Sequence, residues 1–133
     1  MLVKRFGVSL EDDLLKKLDS FAKKNKFPNR SQAIRFLITQ TEVEEKWEKN
    51  KDVAGVIVIV FDHHKRELTA KSQAIQHNYH DLILSVQHVH LDHCNCLETI
   101  AVKGKAQKLQ QLADKLISLK GVRHGKLVMS ATK

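Results

Sequence analysis

The sequence predicts an α+β protein in which a short strand and two helices are followed by a βαββαβ sandwich of the ferredoxin-like kind. Two periodicities support this prediction. Apolar residues alternate at Arg5–Leu10, as in a strand, and recur three and four residues apart in two stretches before residue 42 and at Ala106–Leu119, as in helices. A dense group of histidines and cysteines between Gln76 and Leu97 adds a candidate metal site.

The first part of the chain begins with a strand at Arg5–Leu10 whose apolar side chains share one face. Glu11–Asp13 suit the first turn of a helix that continues to Asn25, and a turn at Phe27–Ser31 separates it from a second helix. Such a lone strand with two helices, about 45 residues in all, buries too little surface to be stable as a monomer. We therefore expect an intertwined homodimer.

The second part is expected to contain six elements: the strand Val53–Phe61, the helix Leu68–Ile75, the strands Leu82–Leu91 and Leu97–Val102, the helix Ala106–Leu119 and the strand Val122–Ala131. A charged segment whose only large apolar group is Trp47 precedes them. The predicted organisation is an N-terminal domain at residues 1–48, a linker at 49–52 and a C-terminal domain at 53–133.

Composition restricts the possible partners and compartments. The net charge of +8 favours an acidic partner, and residues 1–35 carry nine Lys/Arg against four Asp/Glu. The longest apolar run, Val53–Phe61, is too short to span a bilayer, and the first residues lack the apolar stretch of a signal peptide. We expect a cytoplasmic protein with no membrane partner. Cys94 and Cys96 stand two apart, where a disulfide would be strained, so both are available as thiol ligands.

The metal site is predicted from the faces of a hairpin. His88 and His90 lie two apart in a strand and share a face. If Asp92–Cys96 forms a five-residue loop, His90 stands opposite Glu98, His88 stands opposite Ile100, and the Cys96 sulfur lies near both imidazoles. Nitrogen and sulfur ligands select Ni(II) or Cu(II) in a square-planar arrangement and Zn(II) in a tetrahedral one.

Other residues near this hairpin are predicted to support the metal ligands or to supply a fourth one. Glu98 is placed to accept a hydrogen bond from an imidazole, and Gln76 is assigned to the same supporting set. By residue type His77 is the best candidate for a fourth ligand, ahead of His80 and His93. His63, His64 and His124 are expected to be surface groups or satisfied core residues, and the role of Cys94 stays open.

Two sets of residues carry a resemblance to known families. Residues 5–15 and 29–35 resemble the ribbon-helix-helix family of repressors, and the segments at residues 88–90, 96–98 and 121–125 resemble the NikR family of nickel-responsive regulators. The resemblance covers essentially the whole chain. It implies that two N-terminal strands pair into a ribbon in the DNA major groove, and that ACT-type C-terminal domains assemble into a homotetramer, a dimer of dimers, that binds Ni(II).

The resemblance also implies site residues. The nickel ligands would be His88, His90 and Cys96 of one subunit and His77 of a neighbouring subunit. The residues matching DNA-contacting positions are Arg5, Gly7 and Ser9 on the ribbon, Asn29, Arg30 and Ser31 at the start of the second helix, and Lys65 and Arg66 on a loop of the C-terminal domain. Gly7 has no side chain where the family usually has a hydroxyl, so the operator sequence stays open. Gln32 and Phe36 replace carboxylates that help some members bind a second cation, and no such site is expected.

The function predicted from these features is nickel-dependent regulation of transcription through double-stranded operator DNA, with repression of nickel uptake as the expected output. An enzyme is not predicted, because a hydrolytic metal site needs an open coordination position and a substrate pocket. The alternative is an ACT-type regulator that senses an amino acid and whose histidines are incidental.

Overall fold

The computed structural model describes residues 2–132, and the chain divides into two compact units between Thr41 and Glu42. The predicted N-terminal domain extends further along the chain, to Glu48. Among the residues described, no helix is both long enough and apolar enough to cross a membrane.

The first unit contains helix α1 (Asp12–Lys24) and the start of helix α2 (Arg30–Glu48). Asp12 and Asp13 lie in the first turn of α1, where carboxylates interact favourably with the helix dipole. The aromatic rings of Phe21, Phe27 and Phe36 lie 5.2 to 6.1 Å apart and hold the two helices together.

The strand predicted at Arg5–Leu10 is not formed in the single chain, where residues 2–11 have no regular secondary structure. A strand needs backbone partners, and none of the described residues pairs with this segment. Phe6 is 76% exposed and Val8 is 59% exposed, so the apolar face that the alternation predicts lies open to solvent.

The second unit has the predicted βαββαβ order. Its elements are β1 (Asp52–Asp62), α3 (Arg66–Asn78), a 3₁₀ turn (His80–Leu82), β2 (Ile83–His90), β3 (Asn95–Lys105), α4 (Ala106–Ile117) and β4 (Val122–Ser130). The four strands form one antiparallel sheet in the order β2-β3-β1-β4. The α+β fold class of a sheet with helices is thereby confirmed, and β1 and β3 are the central strands.

The core of this unit lies between one face of the sheet and its helices. Ile57 and Ile59 of β1 and Ile100 of β3 are almost completely buried, as are Leu109 and Leu112 of α4. Each such side chain contributes about 1.5–3 kcal/mol through its burial. Alternate residues of each strand therefore point to the helices. The candidate metal ligands of β2 and β3 lie on this same helix-facing side of the sheet.

Within the second unit as described, neither α3 nor α4 covers the other face of the sheet. Val56 of β1, Val89 of β2 and Val128 of β4 lie there, and they are 37%, 39% and 49% exposed. An apolar sheet face left in water is unfavourable, so this face is suited to association with another surface.

The end of α2 belongs to the second unit through Trp47. The indole is buried in the core, and its Nε1–H donates to the carbonyl oxygen of Ser130, 3.0 Å away. Gly55 makes room for it, because a Cβ at that position would lie 2.6 Å from the Val128 carbonyl oxygen and 3.4 Å from the indole ring. The tryptophan that the sequence places in a charged segment is thus a core residue.

Candidate functional site

The hairpin between β2 and β3 sets the positions of the candidate metal ligands. His90 stands opposite Cys96, and His88 stands opposite Glu98. The predicted loop at Asp92–Cys96, which pairs His90 with Glu98 and His88 with Ile100, is therefore wrong by two residues in register. Because side chains alternate between faces with a period of two, this shift leaves both imidazoles on the predicted face.

The register follows from the turn chemistry of Asp92. Its carboxylate accepts hydrogen bonds from the backbone N–H groups of Cys94 at 2.9 Å and Asn95 at 2.8 Å. Backbone N–H groups of Leu91 and Asp92 in turn donate to the Asn95 carbonyl. These bonds close the loop over residues 91–95 and bring Cys96 into the sheet, opposite His90.

Cys96 is fully buried, and its sulfur lies 3.3 Å from Nδ1 of His90 and 3.1 Å from Nδ1 of His63. Burial raises the pKa of the thiol, and the nearby Glu98 carboxylate adds to this effect. A metal ion that takes the thiolate as a ligand must therefore displace a proton held more firmly than usual.

His88 is oriented by a chain of hydrogen bonds. Its Nδ1 lies 3.0 Å from Oε2 of Glu98, and the other carboxylate oxygen, Oε1, accepts from the side-chain amide of Gln76 at 2.6 Å. The Gln76 amide also donates to the hydroxyl of Ser72 at 3.2 Å. With Nδ1–H donating to a carboxylate, the Nε2 lone pair of His88 is free for a metal.

His77 lies at the end of α3, outside the group around Cys96. Its ring stacks on that of His80 with centroids 5.9 Å apart, and its carbonyl oxygen lies 3.0 Å from Nδ1 of His80. The side chains of His63, His90 and Cys96 form one group whose ligand atoms lie close together, and His88 is adjacent, with ring centroids of His88 and His90 5.6 Å apart.

His63 is not among the ligands that the sequence predicts, although its ring meets the Cys96 sulfur. It follows directly after β1, whose last residues pair with Asn95 and Cys96. The βαββαβ order places β1 beside β3, so a histidine at the end of the first strand was detectable as a neighbour of Cys96. Burial and the neighbouring imidazoles of His64 and His90 lower the pKa of His63, which favours its neutral, ligand-competent form.

A second group of side chains adjoins the first. Asp62, His63 and His64 bring their ligand atoms close together, and the Asp62 carboxylate accepts from the backbone N–H of His64 at 2.9 Å. This hydrogen bond lowers the pKa of Asp62. The rings of His64 and His93 lie 5.4 Å apart, and Cys94 is exposed.

In the first unit, the predicted DNA-contacting residues lie on the N-terminal segment and at the start of α2. Arg5, Gly7 and Ser9 are exposed on the N-terminal segment that precedes α1. Asn29 caps α2, because its side-chain oxygen accepts from the Gln32 N–H at 2.9 Å, and Ser31 lies in the first turn.

The guanidinium of Arg30 has a partner inside the protein. It makes two hydrogen bonds to the Asp19 carboxylate, at 2.8 and 2.9 Å, and this pairing lowers the pKa of Asp19 and raises that of Arg30. Arg30 thus links α2 to α1. Lys65 and Arg66, in the second unit, are exposed at the start of α3.

Comparison with known families agrees with both halves of this description. Residues 4–45 match the model of the ribbon-helix-helix proteins of the CopG family, and residues 54–130 match the model of the NikR C-terminal nickel-binding domain. The protein belongs to the NikR family. It is a nickel-responsive regulator with a ribbon-helix-helix DNA-binding domain and a C-terminal domain that binds Ni(II).

Curated NikR relatives match along nearly the whole chain. A protein of Desulfovibrio desulfuricans is 48% identical over 96% of this chain and 93% of its own length, and one of Syntrophus aciditrophicus is 50% identical over 95% and 92%. Both carry the name "putative nickel-responsive regulator". Among solved structures, the uncharacterized protein TM1266 from Thermotoga maritima shares the fold of part of this chain, with a TM-score of 0.54 at 19% identity over 59% of this chain and 98% of that one.

Family membership decides between the functions that the sequence left open. The nickel-responsive regulator is favoured over a sensor of amino acids, and the family consists of regulators rather than enzymes. The donor set fits the metal, since a buried thiol beside imidazoles supplies the sulfur and nitrogen ligands that Ni(II) accepts in square-planar sites.

Replacing Glu98 should weaken nickel binding without removing a ligand. We expect Glu98→Ala to lower the Ni(II) affinity by about 10–100-fold, because His88 loses the carboxylate that fixes its ring and tautomer. Competition titration against a chromophoric chelator measures this. Asp114→Ala, on the exposed face of α4, is the control and should leave the affinity unchanged. An unaltered affinity in a folded Glu98→Ala protein would show that the His88–Glu98 bond has no part in the metal site.

Proposed function

We propose that this NikR protein is a nickel-dependent repressor of nickel uptake, a homotetramer whose Ni(II) sites lie between subunits. The proposed ligands are His88, His90 and Cys96 of one subunit and His77 of a neighbouring subunit, with Glu98 and Gln76 in support. The observation that carries the proposal is the buried Cys96 sulfur at the end of a strand pair that also presents His90 and the oriented ring of His88.

The position of His77 supports a ligand shared between subunits. It lies on the helix that also carries Gln76, yet it is not part of its own subunit's converging group. A site that takes His77 from elsewhere is complete only in the assembled protein. Nickel binding then stabilises one arrangement of subunits relative to others, because the ion binds that arrangement more tightly.

The uncovered face of the sheet supports assembly through the C-terminal domains. The exposed valines of β1, β2 and β4 form an apolar surface on the side opposite α3 and α4, and a second copy of the chain would bury it. The exposed apolar side chains of the N-terminal segment require a partner for the same reason, and pairing of two such segments gives the DNA-reading ribbon.

The proposed DNA contacts fall into two kinds. Arg5 and Ser9 on the ribbon would contact base edges, and the Gly7 position would contribute no side chain. Asn29 and Ser31 would bring the N-terminus of α2 to a phosphate, and Lys65 and Arg66 would add contacts that do not depend on sequence. Because Asp19 holds Arg30, we propose that Arg30 positions this helix start and leaves phosphate binding to its neighbours.

Selection from a pool of random DNA duplexes tests the function. With one equivalent of Ni(II) per subunit, the full-length protein should select a duplex with two symmetry-related half-sites, and removal of nickel by a chelator at the same salt concentration should release it. Transcription of a reporter placed behind the selected sequence should fall when nickel is added. Equal affinity with and without nickel would refute the proposal, and a rise in transcription would refute the repressor role.

Single alanine variants of the full-length protein distinguish His63 from the proposed ligands. His88→Ala, His90→Ala and Cys96→Ala should each lose tight nickel binding and the nickel-dependent selection of DNA. His63→Ala should keep both, although its ring lies nearer to the Cys96 sulfur in the single chain. Loss of tight binding in His63→Ala would place His63 in the ligand set and contradict the proposed one.

A further inference from the structure

The buried polar side chains of the second unit belong to one connected set. Among the residues that the structure describes, Ser72 and Glu98 are the polar residues that are buried, at 4% and 8% exposed. The side-chain amide of Gln76 joins them, since it donates to the Ser72 hydroxyl oxygen at 3.2 Å and to Oε1 of Glu98 at 2.6 Å. Oε2 of Glu98 lies 3.0 Å from Nδ1 of His88. A hydroxyl on α3 is therefore connected to an imidazole on β2 through an amide and a carboxylate.

Ser72 occupies a helix position that normally carries an apolar side chain. Leu68 and Ser72 are the buried residues of α3, and because they are one helical turn apart they share the face that packs on the core. A hydroxyl at such a position loses its contact with water, which is unfavourable unless a hydrogen bond replaces it. The Gln76 amide supplies that bond. No prediction from the sequence or the family resemblance gave Ser72 a role.

A cavity beside this chain of hydrogen bonds leaves the Gln76 side chain room to move. The cavity has a volume of about 350 Å³, and its lining includes Ser72, Gln76, His88 and Glu98. Gln76 is only partly buried, so close packing does not fix its long side chain. A glutamine loses considerable rotamer freedom when it is held in one conformation. Its hydrogen bonds to Ser72 and Glu98 are the contacts that oppose this loss.

We propose that Ser72 is a positioning residue of the nickel site, which holds the amide of Gln76 against Glu98 and thereby keeps the ring of His88 turned so that Nε2 faces the ion. This inference rests on the proposed ligand set. Without the hydroxyl, the amide keeps one of its two anchors and can turn into the cavity. Glu98 then loses the partner of Oε1, and its hydrogen bond to His88 is less well fixed.

A double-mutant cycle on nickel affinity tests this proposal. In the full-length protein, Ser72→Ala should lower the Ni(II) affinity by about 3–10-fold, the size of one net hydrogen bond. In the Glu98→Ala background the same substitution should cause no further loss, because the chain of bonds between Ser72 and His88 is already broken. A residue that acted only through the stability of α3 would give equal losses in the two backgrounds. Competition titration against a chromophoric chelator measures all four affinities.

Thr69→Val is the matched control. Thr69 lies on α3 and lines the same cavity, but its hydroxyl donates to the carbonyl oxygen of Lys65, so its removal should leave the nickel affinity unchanged. The unfolding midpoint of the metal-free protein should stay in place in Ser72→Ala, because solvent in the cavity reaches the freed N–H of Gln76.

Three results would overturn the inference: an unchanged nickel affinity in Ser72→Ala, an equal loss of affinity in both backgrounds, or an unfolding midpoint that falls together with the affinity. Tight nickel binding by His88→Ala would have a different meaning. It would refute the proposed ligand set itself, on which the role of Ser72 depends.

Discussion

Mixing Cys96→Ala protein with His77→Ala protein should restore tight nickel sites that neither protein forms alone. Each variant lacks one proposed ligand at every site, and loss of a ligand should cost more than the 10–100-fold that loss of a supporting hydrogen bond costs. In a mixed tetramer, however, Cys96 of a His77→Ala subunit meets His77 of a Cys96→Ala subunit. With random assembly of equal amounts, about a quarter of the sites have all four ligands.

The measurement is the amount of nickel bound at a free nickel concentration near the wild-type dissociation constant, after the two variants are unfolded together and refolded. The matched control mixes Cys96→Ala with His88→Ala. Both of these ligands come from the same subunit in the proposed site, so no combination of those two chains completes it. Native mass spectrometry establishes that mixed tetramers have formed. Mixed tetramers without restored nickel binding, or tight binding by His77→Ala alone, would contradict a site shared between subunits.

Replacing Trp47 should have the largest effect on stability among the substitutions considered. We expect Trp47→Ala to lower the free energy of unfolding of the C-terminal unit by about 3–5 kcal/mol, the cost of removing a buried aromatic side chain. Trp47→Phe keeps much of the buried area and should cost less, although it leaves the Ser130 carbonyl without its donor.

Chemical denaturation followed by far-ultraviolet circular dichroism measures both values in the metal-free full-length protein. The indole is the only tryptophan in the chain, so its fluorescence cannot serve for these variants. Gln107→Ala, on the exposed side of α4, should leave the unfolding midpoint in place. A cost below about 1 kcal/mol for Trp47→Ala would fall in the range of an ordinary surface substitution and would contradict a core role.

Much of the fold could be predicted from local pattern. The near-continuous apolar run of β1 and the helical spacing of leucines in α4 were both visible in the sequence, and each is typical of an element packed against a core. The burial of Trp47 could not be predicted, because a single large apolar residue among charged residues forms no periodic pattern. Its burial depends on Gly55 and on β4, which lie far from it in sequence.

The candidate site was predictable in composition and less so in geometry. His88, His90 and Cys96 were identifiable by residue type and alternation, whereas the pairing of His90 with Cys96 depends on the hydrogen bonds of Asp92, which alternation does not reveal. The contact of His63 with Cys96 joins residues 33 positions apart in the sequence. The pair of Asp19 and Arg30 joins residues 11 positions apart. Such contacts are set by the packing of elements against one another, and the sequence offers no local signal for the Asp19–Arg30 pair.

The turn closed by Asp92 also limits how this protein can vary. If the turn kept its five residues, one residue inserted or deleted beside it in either strand would put His88 and His90 on the opposite face of the sheet from Cys96, unless the change were absorbed in a bulge. Two residues added together would preserve the faces. The constraint is on the register of the two strands next to this turn, and we expect variants that keep the five-residue loop to gain or lose residues beside it in pairs.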